Sequence, residues 1–199
     1  MTQSLAPGFL IASPPLGDPN FDKTVVLLAM HNEDGALGFV VNRVAPMSLG
    51  ELLAEAGYTS GHHLNDRVWI GGPVQPQSGW VVIDDSALEE GEGIIEVGGR
   101  IRVSSSRDAF DELADEIALE LATQGDGSKA TAKRMIVLGY SGWAPEQLEG
   151  EIARGAWLPI PLDESILFDV DPEDRWERAY ALLGLTPSHM MSMRTVGQA

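Results

Sequence analysis

The chain has 199 residues, 44% of them hydrophobic and 22% charged, with 30 acidic residues against 13 basic ones, a net charge of −17, and no cysteine. That much apolar material supports a sizeable core in a single domain over 1–199, with disorder expected only at the ends. The charge disfavours a nucleic-acid binder, which needs Lys and Arg to neutralise phosphates; only Arg100, Arg102 and Arg107 cluster loosely. Without cysteine there are no disulfides, thiolate metal sites, iron–sulfur ligands or thiol nucleophiles.

The first ten residues lack the basic start and long apolar run of a signal peptide. No apolar stretch approaches the ~20 residues that span a bilayer. A cytoplasmic protein without a membrane partner is the expectation.

In chain order, residues 8–13 (GFLIAS) predict a strand ending at Pro14-Pro15. Residues 24–30 (TVVLLAM) form a near-continuous aliphatic run, the mark of a strand buried on both faces. Asp34-Gly35 signals a turn, and residues 36–42 (ALGFVVN) complete a hairpin. Ser48-Leu-Gly-Glu51 has the spacing of a capping box, ahead of Leu49, Leu52, Leu53 and Ala56 at helical spacing, with Gly57 as the stop. Residues 67–70 and 79–83 predict strands. Residues 94–97 and 100–103 predict two more around Gly98-Gly99.

Residues 107–122 predict a helix with Phe110, Leu113, Ala114, Ile117 and Leu121 in one stripe. Residues 134–140 predict a central strand. Pro145 marks a helix over 145–154. Asp171-Pro172 opens the last helix, with Trp176, Ala179, Tyr180 and Leu183 as its apolar stripe and Gly184 as its end. Residues 186–199 form a polar, partly frayed tail. Strands outnumber helices and do not alternate with them, which points to an α+β fold.

Familiar chemistry is sparse. There is no Walker-type phosphate loop, and Ser141 misses the nucleophile-elbow spacing by one residue, so a turn serine is its plainer reading. Among His31, His62, His63 and His189 there is no metal-ligand pattern, and no metal or cofactor is expected. His31, at the end of a buried strand, is either a general base or a hydrogen-bonded structural residue. Arg43, after Asn42, is an anion clamp or an edge-strand guard. Gly71-Gly72 offers an anion nest or a tight turn.

The richest stretch is LGYSGWAPEQLEGEI at 138–152. Gly142 suggests a bend, Trp143 a ligand stack or a core plug, and Gln147, Glu149 and Glu151 a helix. Glu149 and Glu151, two residues apart, face different directions on a helix and make no acid–base pair.

Five segments in order, GFLIASPPLGDPNFDKTVVLLAMH, DGALGFVVNR, WIGGPV, VLGYSGWAPEQLEGEIARGAWL and ILFDVDPEDRWERAYALLG, resemble the YqgE/AlgH family of bacterial proteins over nearly the whole chain. The resemblance implies a coiled, partly barrel-like mixed sheet packed against helices, in a bacterial cytosolic protein. It implies no activity. Some members carry a transcriptional-regulator label, which the charge does not favour as direct DNA contact. Two positions depart from the family pattern. Val44 replaces the Pro that usually follows Asn-Arg, and Glu146 replaces the Gly that usually precedes Gln-Leu-Glu.

Two functions follow as expectations. One is a non-enzymatic binding or regulatory module for a protein or small anionic ligand, using His31, Asn42, Arg43, Gly71, Gly72, Gly142, Trp143 and Gln147. The other is a hydrolase or transferase acting on an anionic small molecule. An enzyme requires a pocket where His31, Arg43 and the Gly71–Gly72 amides converge. A third reading is that these glycines and tryptophans serve only the fold.

Overall fold

The structure is a computed structural model and describes residues 4–14, 16–57, 66–84, 93–106, 110–111, 133–186 and 188. His62, His63, His189, Arg107, most of the helix expected over 107–122 and most of the tail lie outside the described residues.

Among the described residues there are ten strands: β1 (Gly8–Ala12), β2 (Val25–Asn32), β3 (Gly35–Val40), β4 (Val44–Ser48), β5 (Arg67–Ile70), β6 (Val74–Asp84), β7 (Ile94–Gly98), β8 (Ile101–Ser104), β9 (Lys133–Trp143) and β10 (Trp157–Pro161). The described helices are α1 (Leu49–Glu55), α2 (Gln147–Ala153), α3 (Glu164–Phe168) and α4 (Arg175–Leu182). The main path of the sheet runs β10-β1-β2-β3-β9-β6-β8-β7, and β5 joins β9 in parallel while pairing with β4. This curled, mostly-strand sheet with a few helices is the α+β architecture expected.

The curl explains the hydrophobic patterning. Its inner face holds Phe9, Ile11, Val25, Leu27, Phe39, Val103 and Val137, closed by Ile166, Leu167, Trp176, Ala179 and Tyr180 from α3 and α4. One outer patch, Leu10, Val26, Leu28 and Val40, lies with Trp143, Leu148 and Trp157. A second outer patch, Val68, Val81 and Ile136, lies with Leu49 and Leu53 of α1, and Phe110 packs against it. Both faces of β2 and β9 are therefore covered, which is why those segments read as unbroken apolar runs.

Local chemistry sets several boundaries. Ser48 and Glu51 form the expected capping box of α1. The hairpin between β2 and β3 closes with Asn32 opposite Gly35. A bulge between Leu28 and Met30 shifts the register, so Leu28 faces Gly38 and His31 faces Ala36. Gly38 and Ala36 are two apart, so Leu28 and His31 share a face although three apart.

The structure corrects four expectations. The last helix starts at Arg175, because Pro172–Asp174 form a turn closed by the Asp174 N–H to the Asp171 carbonyl at 2.9 Å. Leu183 is the C-cap and is exposed, so it leaves the stripe. Gly142 is no bend: β9 runs through it to Trp143, and Gly142 pairs with Leu37. Ser141 sits within that strand rather than in a turn, fully buried, its hydroxyl donating to the Gly71 carbonyl at 3.1 Å.

Candidate functional site

The expected site residues divide into three places. His31 and the 143–151 corner come together. The His31 Nδ1 accepts from the Leu5 backbone N–H at 3.0 Å. An amide can only donate, so the ring proton sits on Nε2, which donates to Glu149 Oε1 at 3.1 Å. With its lone pair taken by Leu5, neutral His31 has no free nitrogen to act as a base.

Beside it, Trp143 and Trp157 donate their indole N–H groups to the same oxygen, Glu151 Oε2, at 2.9 and 2.8 Å. Gln147 donates to Glu151 Oε1 at 2.9 Å and accepts from the Ala144 N–H at 3.0 Å. The two indoles meet edge to face at 5.8 Å, and Phe21 packs against both. Glu149 and Glu151 do face apart, one to His31 and one to the tryptophans. Trp143 is a core plug here, and this corner satisfies its own donors and acceptors.

Gly71 and Gly72 form the second place. Along one edge of β9, β5 pairs with Ile136–Leu138 and β3 pairs with Ser141–Trp143. Gly71 fills the handover. Its N–H donates to the Leu138 carbonyl at 2.7 Å, and its carbonyl accepts from Val40 N–H at 2.8 Å. A Cβ at Gly71 would lie 2.4 Å from the Gly139 carbonyl oxygen, and one at Gly72 2.3 Å from that of Tyr140. Both glycines are buried, and close backbone approach requires them. The Gly71 amide is spent on the sheet, which removes it from an anion nest.

Asn42 and Arg43 form the third place. Asn42 accepts from Val25 N–H and donates to the Lys23 carbonyl, both at 2.8 Å. Arg43 Nη2 donates to the carbonyls of Pro19 and Asp22 at 3.0 and 3.1 Å. These side chains tie down the loop before β2. Seven residues separate Arg43 from Ala36, the partner of His31, which in extended chain is roughly 20 Å. The expected convergence of His31, Arg43 and the glycine amides in one pocket does not occur.

A cavity of about 450 Å³ opens close to the Asn42–Arg43 end instead. Its floor is Trp69, Met135, Leu167 and Arg175, and its rim carries Asp66, Arg67, Asp169 and Asp171, with Arg134 also in the lining. Arg175 is only 4% exposed. It opens α4, where its Nε donates to the Val170 carbonyl at 2.9 Å and its Nη1 to the Val41 carbonyl. Its guanidinium lies over the Trp69 ring, 6.0 Å from the centroid. Nη2 has no hydrogen-bond partner among the described residues, and no carboxylate forms an ion pair with it there. Burial, then the like charge of Arg67, pushes the Arg175 pKa down to about 10 against the pull of Asp171. The group keeps its charge at neutral pH. Trp69 adds a second loose end: its buried indole N–H also finds no partner among the described residues.

Four other charges near this region form two pairs. Arg67 meets Asp171 at 3.6 Å, and Lys133 meets Asp169 at 2.5 Å. Elsewhere, Arg100 and Arg102, two of the three clustered arginines noted in the sequence, are taken by Asp84 at 2.8 Å and Glu96 at 2.6 Å. Arg175, Trp69, Arg67 and Arg134 were missed by sequence reasoning. One signal was present: Arg175 stands four residues before Ala179, on the buried stripe with Trp176 and Tyr180, where a charge is out of pattern.

An AlgH-like family model matches residues 9–188. The chain belongs to the AlgH-like family. It is 40% identical over 191 residues to a UPF0301 protein of Anaeromyxobacter dehalogenans, covering 92% of this chain and 90% of that one. It is 36% identical to a UPF0301 protein of Neisseria meningitidis, covering 95% and 97%. The solution structure of the AlgH protein from Pseudomonas aeruginosa superposes with a TM-score of 0.73 at 36% identity, covering 96% of this chain and 97% of that one. A crystal structure from Corynebacterium diphtheriae, 19% identical with a TM-score of 0.65 over 90% and 87% of the two chains, shares the fold. Among the described residues, no helix is long and apolar enough to cross a membrane, and no cluster of three or more His, Asp or Glu is placed to hold a metal ion.

Proposed function

We propose that this chain is a non-enzymatic binding module whose ligand presents an anionic group, a carboxylate or phosphate, to Arg175 in its cavity. One observation carries the reading: a buried, charged guanidinium that opens on a cavity and has no carboxylate partner among the described residues. A buried charge without a counter-charge is costly, and an incoming carboxylate or phosphate removes that cost. The guanidinium fork suits two parallel hydrogen bonds to such a group. The Trp69 ring lines the same cavity and lies against the guanidinium. The 143–151 corner, by contrast, has its polar groups bound to one another, which supports a structural role for it.

The test is a thermal-shift and NMR titration of the full chain with inorganic phosphate, citrate and acetate, repeated on Arg175→Met. A ligand that binds only the folded chain raises stability by mass action, about 2.7 kcal/mol at a hundred times its Kd. Amide shifts should centre on Trp69, Arg134 and Arg175 and vanish in the variant. Shifts that persist in Arg175→Met, or that centre on the 143–151 corner, would sink the reading.

A further inference from the structure

The cavity carries both signs of charge. Arg67 pairs with Asp171, and Lys133 pairs with Asp169. Once those pairs are set aside, two lining groups stand out for having no ion-pair partner among the described residues. One is the buried Arg175 guanidinium; the other is the exposed Asp66 carboxylate at the rim. The Asp66 carbonyl is held by the Leu49 N–H at 2.9 Å, so its backbone is fixed at the foot of α1 while its side chain stays at the surface.

A bare anion fits this arrangement poorly. It would approach a chain of net charge −17 past three rim aspartates, and that field opposes it. A molecule with both charges is steered and oriented by the same groups. Trp69, Met135, Leu167 and Phe168 line the same cavity and offer apolar surface to a hydrocarbon side chain.

Resting on the anion-site reading above, we infer that the ligand is a small zwitterion, an α-amino acid or short peptide with both termini free. Its carboxylate meets Arg175 on the floor and its ammonium meets Asp66 at the mouth. Arg175 then sets affinity for any acid, and Asp66 sets the preference for a free amine.

The experiment is isothermal titration of the full chain with the twenty L-amino acids and a set of dipeptides. Each binder is then compared with its N-acetyl and C-amide forms, and inorganic phosphate and citrate serve as pure anions. At least one free zwitterion should bind. C-amidation should abolish binding, and N-acetylation should weaken it tenfold or more. Asp66→Asn, at an exposed position that leaves the fold intact, should weaken the free form by a similar factor and leave the N-acetyl form unchanged. Comparing amino acids with dipeptides separates the two sources of the same chemistry.

If N-acetyl acids or phosphate bind as tightly as free amino acids, and Asp66→Asn changes nothing, the zwitterion inference is overturned while the anion site stands. If no acid of any kind binds, both fall together.

Discussion

Two parts of this molecule carry its most conspicuous polar chemistry, and they are built on opposite terms. At the 143–151 corner, one carboxylate collects two indole N–H groups and a glutamine amide, and a histidine is held between a backbone amide and a second carboxylate. In the Arg175 cavity, a mostly buried guanidinium keeps one nitrogen, Nη2, without a protein partner among the described residues, and the Trp69 indole N–H is buried without one. The corner is a closed network, the cavity an open one. Satisfied polar networks fix a structure, whereas unsatisfied buried donors cost free energy that a ligand can recover. The corner holds the Gly- and Trp-rich sequence motif, and the cavity holds donors that the described residues leave without a partner.

The sharpest way to break this comparison is Glu151→Ala. It leaves the Trp143 and Trp157 indoles without their acceptor in a tightly packed cluster. The expected loss is about 2–6 kcal/mol, from two donors at roughly 1–3 kcal/mol each. Urea unfolding measures it, and Glu151→Gln, which keeps one oxygen, should lose less. A loss below about 1 kcal/mol would mean that water replaces the carboxylate and the network is not closed.

Arg175→Met tests the other side. It gives up the bonds to Val41 and Val170 but also removes a desolvated charge. These effects oppose each other, so unfolding free energy should change by no more than about 1 kcal/mol in either direction. Anion binding should be lost. A drop of several kcal/mol would make Arg175 a structural pillar like Glu151 and erase the distinction between the two regions.

Legibility in the sequence follows the same division. The strands around Val25–Ala29 and Met135–Leu138 were readable because both of their faces are buried, and α1 because its cap is local. β10 and β4 were missed: Pro159, Pro161 and Pro46 argue against strands. They are tolerated here because, among the described residues, β10 pairs with β1 alone and β4 with β5 alone. α3 has five residues, too few to show a helical period. The corner's residues were all named, but that Trp157 returns to share Glu151 with Trp143 depends on β10, which was not seen. Arg175 was legible as a charge on an apolar stripe; its partners, from β5, β9 and the end of β3, are not local to it.

The capping box calibrates these expectations, being legible and exposed. Ser48→Ala should cost about 1 kcal/mol. The Ser48 N–H and hydroxyl hold the Glu51 carboxyl below its ordinary value. A lowered carboxyl stabilises the fold above its ordinary pKa, and that contribution is lost as pH falls through the lower folded value. Protection of the α1 amides, taken as their exchange rate relative to the unstructured-chain rate at the same pH, should therefore fall at acid pH in the wild type. Glu51→Gln should flatten that dependence, and an unchanged profile would separate α1 stability from the box.

The smallest effect returns to the corner. Glu146 occupies the left-handed region, φ 62°, at the N-cap of α2, and its side chain makes no capping bond. This is the position where the family pattern has Gly. A β-carbon there costs on the order of 1 kcal/mol, part of which is offset by the greater freedom a glycine has in the unfolded chain. Glu146→Gly should stabilise the fold by about 0.5 kcal/mol, as the balance of those two terms. If the corner only closes the fold, this gain should appear in urea unfolding with anion binding unchanged. A change in affinity would tie the two regions together, since nothing in the geometry brings Glu146 to the lining of the Arg175 cavity.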